Sequence, residues 1–441
     1  MNKKKSKKAS SKYLIIVIAL FSISIVYGFI KWDTEKNNVL DIEGIDLIEV
    51  NGKVSRLSND NKAVDSINKL AFEMIKKDQG NNLVISPVSI VSSLSLLTNG
   101  ANEEGKSELL SYLLSEKTHV EYNQTIQDMN KDFNEYILYM SNHGKNSEIK
   151  YGTSIWIDKK YSYDVNEEFI NRANNDYYAE VYFEDFKGDT DRSVNKVNKW
   201  CNLKTKGKIN EIMDKELDDE FFGVILNTLY FNGSWKEPFN NRSTKKKEFL
   251  AGTGKKVKVP MMCSKENLEY LENQQFKAIK KGYRGGKYEM TIILPNENID
   301  IDELLNNMDV DSWNEINHGE NSFTYDEVII NMPKFKFEYE RLLNEDLINS
   351  GVKSVFKSTP AGLSDISEEV YLSLIKQKCT IEINESGTEA AAVTSIEMNK
   401  SEACEAEKEP KEFIVNRPFI FIISDSKYDS ILFIGKVYNP A

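Results

Sequence analysis

Residues 385 to 400 read ESGTEAAAVTSIEMNK, and this stretch constrains the fold more than any other in the 441-residue chain. Taken at a period of two, one face carries Thr388, Ala390, Ala392, Thr394, Ile396 and Met398, and the other carries Glu389, Ala391, Val393, Ser395, Glu397 and Asn399. Successive side chains of a strand point to opposite sides, so this segment can bury its uncharged face and leave both glutamates in water. A strand of that kind needs a sheet to receive it. Alanine is also the best helix former, and a short alanine-rich surface helix is the competing local reading. The charged, proline-interrupted run SEACEAEKEPKE follows about thirty residues from the end.

The rest of the chain supplies the material for a sheet. AVDSINKLAFEMIKK places apolar side chains at helical spacing, and SIVSSLSLLTNGANEEGKSELLSYLL reads as a helix, a turn near Gly100 and a second helix. Strands such as KYEMTIILP and EVIINMPKFKFEYE alternate irregularly with helices such as RSVNKVNKWCNLKT, and the chain closes on FIFIIS and ILFIGKV around the turn SKYDS. No repeat, linker or phosphate-cradling glycine loop interrupts this order. A single α+β domain over 61–441 follows, with 32–60 as a polar spacer.

MNKKKSKKASSK followed by the 18 uncharged residues YLIIVIALFSISIVYGFI makes residues 1–31 an export or anchoring segment. As a helix the apolar run would span roughly 27 Å. Its length favours an uncleaved anchor over a cleaved signal peptide, with the lysines inside and the domain outside the membrane. Secretion is the outcome if it is cleaved.

Seven of the basic residues lie before Asp33, which leaves the remainder at a net charge of about −19. A body this acidic repels nucleic acid, so the clusters TKKKEF and GTGKKVKV read as solvated faces. Cys201, Cys263, Cys379 and Cys404 show no metal-ligand spacing; the first three read as buried thiols and Cys404 as exposed. His119, His143 and His318 stand apart, leaving a serine or cysteine nucleophile without a general base. Neither catalysis, nor a metal, nor a cofactor is expected.

The segments NLVISPVSIVSSLSLLTNGANEEGKSELL, TKGKINEIM, VILNTLYFNGSWKEPF, VPMM, YEMTIILP, NMPKFKFEYE and RPFIFIIS with LFIGKVYNP, taken in this order, resemble those of the serpin family. The resemblance covers the whole body and is identified as that of a bacterial, inhibitory-type member. It implies one domain with a large mixed β-sheet, further β-sheets, surrounding helices and an exposed reactive-centre loop over about 385–413. In such a protein cleavage lets the loop enter the sheet as a new strand, a stored-strain device.

Carried over position by position, Glu385, Gly387, Thr388, Ala390, Ala391 and Ala392 match the loop hinge. Ser86, Ser89, Asn227 and Gln377 match the polar gate beneath the opening strands, with Gln377 where many members have histidine; Trp235 matches the aromatic at the loop entrance. Counting from the hinge puts the residue before the scissile bond at Ser401, or at Lys400 on a spacing one shorter, which would suit a trypsin-like protease. Counting from the far side reaches Glu407, and Cys404 and Lys408 are outside candidates. The resemblance implies an irreversible, monomeric suicide inhibitor of serine-type or cysteine-type proteases. The alternative it leaves open is a non-inhibitory member acting as a binding or chaperone-like protein.

Overall fold

The computed structural model describes residues 45, 47–50, 52–59, 61–114, 122–142, 147–215, 217, 221–358, 361–368, 370–388 and 409–441. The chain separates into two compact units, Met1–Leu47 and Ile48–Ala441, and only residues 45 and 47 of the first are described. The expected anchor over 1–31 therefore lies outside the described residues. So do Ala390, Ala391, Ala392, Lys400, Ser401, Cys404, His119 and His143. No helix among the described residues is long and apolar enough to cross a membrane.

Nine helices are described in the second unit: α1 Ala63–Ile75, α2 Pro87–Thr98, α3 Glu103–Leu114, α4 Tyr122–Ser141, α5 Glu167–Asp176, α6 Thr190–Lys204, α7 Ile301–Asn307, α8 Val310–His318 and α9 Asn344–Asn349. The first eight strands are β1 Leu83–Ile85, β2 Ser147–Asp158, β3 Ala179–Glu184, β4 Gly223–Ser234, β5 Lys245–Leu250, β6 Lys256–Glu272, β7 Phe276–Gly282 and β8 Tyr288–Pro295. The rest are β9 Thr324–Pro333, β10 Phe335–Leu342, β11 Leu374–Asn384, β12 Gly387–Thr388, β13 Lys411–Ile414, β14 Phe419–Asp425 and β15 Ile431–Val437.

Two sheets carry the fold. A six-stranded mixed sheet runs β10-β11-β12-β4-β2-β3, with an additional pairing of β11 to β4. Beside it, as the resemblance implies, stands further sheet structure: the remaining described strands join continuously as nine, β1-β15-β14-β8-β7-β6-β9-β13 with β5 on β6. The reason is β6, whose 17 residues are long enough to pair with β5, β7 and β9 in turn. NMPKFKFEYE, read from sequence as one strand, changes sheet at Lys334: β9 ends at Pro333 in the larger sheet and β10 begins at Phe335 in the smaller.

Helix α2 ties the sheets together. Pro87 opens it at a position where a missing N–H costs nothing, and the Ser86 hydroxyl accepts from Ser89 N–H as its N-cap. All twelve of its residues are buried, because it packs on β4 of one sheet and β15 of the other. The closing strands β14 and β15 are buried at every position: their apolar residues fill the core, and the buried Asp425 and Lys436 are met by Tyr139 and Asp302. Cys201 and Cys379 are buried thiols as expected, whereas Cys263 is only half-buried, on a face of β6 that the core does not fully cover.

Asn68 on α1 shows how a helix is registered against the sheet. Its amide donates to Asp429 O at 3.1 Å and accepts from Ile431 N–H at 2.9 Å, closing the β14–β15 turn onto α1. Removing this buried amide leaves the Ile431 N–H unpaired, at a cost of about 1–3 kcal/mol, while Asp429 O keeps the Trp313 indole at 3.0 Å. Asn68→Ala should accordingly lower the urea midpoint without changing the slope, and an unchanged midpoint would show the turn is held by other contacts.

Candidate functional site

The site is a slot between β11 and β4. At one end the two strands pair directly and in parallel, Leu374 with Val224, Ile375 with Ile225 and Lys376 with Leu226. At the other end β12 lies between them, antiparallel to both, with Thr388 opposite Ile383 and Gly233 and Gly387 opposite Asn384 and Ser234. Both ends keep one register. Between them Gln377–Glu382 and Asn227–Asn232 face one another without pairing. A cavity of about 10 Å³ lies in this interval under Thr205, Lys208 and Ile209, walled by Phe231, Thr380 and Thr388.

Backbone geometry sets the entry to the slot. Gly387 has φ +152°, and a Cβ there would sit 2.0 Å from Gly233 O, so only a glycine fits this close approach. Ser386 O accepts from Trp235 N–H at 2.9 Å, Glu385 O from Phe239 N–H at 2.9 Å, and Asn384 O from the Trp235 indole at 3.0 Å. Trp235 stacks on Tyr283 with centroids 4.6 Å apart. The Tyr283 hydroxyl is 2.5 Å from Thr388 Oγ1; burial raises its pKa well above the phenol range and keeps the proton available.

Glu385 is the charged member of the entrance and is largely buried. One oxygen accepts from Thr244 Oγ1 at 2.8 Å and the other lies 2.8 Å from Lys334 Nζ. Burial alone would push this carboxyl up, but the bonds from Lys334 and Thr244 outweigh it and hold the pKa below the ordinary glutamate value. Beneath Trp235 lies a second buried charge, Lys281, paired with Glu266 at 2.6 Å and 4.6 Å from the Phe239 ring. Burial depresses its pKa while Glu266 opposes the shift.

Under the slot runs a polar network anchored on one face of α2. Gln377 of β11 accepts from Ser86 N–H at 3.2 Å and donates to Ser86 O at 2.8 Å. The Ser89 hydroxyl is 3.2 Å from that of Ser86. Asn227 of β4 donates to Thr153 Oγ1 at 2.6 Å, which bonds Tyr151 OH at 2.7 Å, and that hydroxyl meets Ser92. Asn227 Oδ1 is buried with no partner among the described residues.

The structure thus brings Ser86, Ser89 and Gln377 together and sets Asn227 in a second cluster, which reaches the same helix through Thr153, Tyr151 and Ser92. Trp235, Glu385, Gly387 and Thr388 meet at the far end. Thr388, expected at the start of an exposed loop, is already inside the sheet and 1% exposed. The reason is the fit of Gly387 against Gly233 O and the Tyr283–Thr388 bond, neither of which sequence spacing reveals. Tyr283, Lys334, Thr244, Tyr151, Thr153 and Ser92 were all missed, because they join only through tertiary contact. The proximity of Gly233 to Trp235 in sequence was the one available hint.

Comparison with known proteins fits this geometry. The family model described as Serpin (serine protease inhibitor) matches residues 65–440. An uncharacterized serpin-like protein of Methanosarcina acetivorans is 31% identical over 85% of this chain and 87% of its own. The leukocyte elastase inhibitor of Homo sapiens is 28% identical over 84% of this chain and 96% of its own. Tengpin, a thermophilic serpin solved in its native state, superposes with a TM-score of 0.76 at 28% identity, covering 88% of this chain and 97% of its own. Thyroxine-binding globulin in complex with thyroxine has a TM-score of 0.74 at 24% identity, over 86% of this chain and all of its own, and shares the fold.

Because the folded pKa of Glu385 is depressed, the anchor it makes is present above the unfolded value of about 4.3 and is lost as pH falls through the lower folded value. Hydrogen exchange of a peptide spanning 383–388, corrected for intrinsic rates, should show protection at pH 6 that disappears on acidification into that window. Lys334→Met should lose much of the protection already at pH 6. Equal protection in variant and wild type would mean the ion pair does not hold the entrance.

Proposed function

The chain belongs to the serpin family, and on that premise we propose that it is an irreversible suicide inhibitor of serine-type proteases, working by loop cleavage and insertion into the six-stranded sheet. The observation that carries this reading is β12: the first two residues of the incoming strand already occupy the slot, with neighbours on both sides. A strand continuing from Thr388 in the same register sets Ala390 and Ala392 on the core face and Thr394 between Gln377 and Asn227. There the Thr394 hydroxyl can donate to the unpartnered Asn227 Oδ1. Glu389 and Val393 fall on the outer face.

The proposed sequence of events starts when the protease nucleophile attacks the carbonyl of Lys400 or Ser401, forming an acyl-enzyme and freeing the chain beyond. The loop then zips downward carrying the protease. Past Thr394 it must part the three β11–β4 pairings and the Gln377–Ser86 bonds, a cost of a few kcal/mol at about 1 kcal/mol per net hydrogen bond. The new strand offsets this with a ladder on each of its sides. Small inward residues keep insertion from overpacking, and Gln377, which does not titrate, leaves the gate insensitive to pH. Thyroxine-binding globulin shows that the fold also serves a protein titled by the ligand it binds; the uncharged inward face of 388–398 favours insertion here. Tethering outside the membrane through residues 1–31 belongs to the same proposal.

Three outcomes are expected. Incubation with a panel of trypsin-like proteases should give an SDS-stable complex, and Lys400→Ala should abolish it if Lys400 precedes the cut; a released peptide beginning at Glu402 or later would move the scissile bond. Thr388→Arg and Ala392→Glu force a charge into the core at several kcal/mol, and should turn the inhibitor into a cleaved substrate, whereas Val393→Glu keeps most trapping. Wild type should melt at a markedly higher temperature once its loop is cut, and similar behaviour of all three variants would remove insertion from the account. For the tether, a mature N-terminus near residue 29 in protein from its native cells would replace anchoring by secretion.

A further inference from the structure

The β5–β6 hairpin reverses the charge of the molecule. In a chain of net charge −12, residues 242–258 hold Arg242, Lys245, Lys246, Lys247, Lys255, Lys256 and Lys258 against one acid, Glu248. Every one of these side chains belongs to an exposed residue. Glu248 pairs with Lys256 at 3.0 Å and Lys247 reaches Asn331, while Lys245, Lys246, Lys255 and Lys258 make no ion pair among the described residues. One or two lysines are enough to blunt an exposed strand edge such as β5, so that need does not account for the cluster.

Its place is as telling as its charge. Thr244, just before β5, donates to the Glu385 carboxylate at 2.8 Å, where the segment 389–408 begins; Leu250 N–H, at the end of β5, donates to Asn416 O at 2.8 Å, just after β13 returns the chain. The hairpin is therefore tied to the foot where the loop departs and to the far end of the strand on which it returns. Any protein that engages the residues between them comes alongside it.

We propose that this lysine-rich hairpin is a secondary docking surface for an acidic patch beside the active-site cleft of the target protease. The proposal rests on the inhibitor reading and adds to it the charge of the partner. The patch is compact, and an extended polyanion would overrun it onto the acidic remainder of the protein, where it is repelled; a protein surface of limited area is not. Opposite charge beside the loop steers encounter, raising association rates by about 10- to 1,000-fold at low salt with little effect on the committed complex. β13 begins at Lys411, opposite Val328, and the hairpin meets this part of the sheet at Asn331 and Asn416, roughly 10 Å further along the strand direction.

The test compares the full chain with a Lys246→Glu, Lys255→Glu, Lys258→Glu variant against proteases trapped in the panel screen, at about 50 mM and about 300 mM salt. For an acidic-faced protease the wild-type association rate should fall steeply with salt, and the variant should be at least about tenfold slower at low salt with its stoichiometry of inhibition unchanged. A basic-faced protease should show the opposite ordering, and matching melting curves guard against a folding defect. Equal, salt-independent rates overturn the docking surface and leave the inhibitor reading standing; no trapping by either form overturns both. A variant that reacts faster with every protease would mean the hairpin restrains the glutamates of the loop, and a hairpin-dependent affinity for polyphosphate without any rate effect would assign it to a polyanion. Either result replaces the proposal.

Discussion

Everything distinctive in this structure depends on one close contact, the approach of Gly387 to the carbonyl of Gly233 at a distance that a single methyl group would forbid. Two strands that pair directly at one end cannot also stand a strand apart at the other unless something keeps them spread. Here the wedge is two residues long, and it fits because one residue lacks a Cβ and the next, Thr388, finds a hydroxyl waiting in Tyr283. A bulkier wedge would be expelled by sterics, and a charged one by the cost of desolvation.

The interior beneath the slot is polar where an ordinary sheet-on-helix interface would be apolar. Ser86, Ser89 and Ser92 recur every third residue on α2 and meet Gln377 on one flank and Tyr151 on the other. Hydrogen bonds of this kind have small net value and exchange partners at little cost, whereas interdigitated aliphatic side chains would have to lose packing before the strands could part. Burial lifts the Tyr151 pKa to about 12 and that of Cys379 to about 12. No group in this layer therefore changes charge near neutrality, and the layer stays a set of neutral dipoles.

The elements were legible in the sequence wherever one period dominated. Helix α1, the α2–α3 pair, β8 and the closing strands follow from apolar spacing, and the uncharged face from Thr388 onward follows from alternation. What spacing could not show was how far the wedge is already seated, since that depends on Gly233 and Tyr283, which lie 154 and 105 positions from Gly387 and Thr388 respectively. Nor could it separate β9 from β10, because both sides of Pro333 alternate in the same manner. The pairing of Lys334 with Glu385 was hidden for the same reason: two charged residues half a hundred positions apart are unremarked until the fold closes the distance.

Lys334 occupies an unusual station. It is the only residue between β9 and β10, hence the link by which the chain steps from the nine-stranded sheet to the six-stranded one; its N–H is fixed to Pro260 O of β6, and its ammonium holds Glu385. A lever whose fulcrum sits on one plate and whose tip rests on the other responds to any slippage between them. Sliding of the two sheets past each other, whether from thermal motion or from strain applied to the smaller sheet, is thereby converted at a single side chain into tension on the wedge.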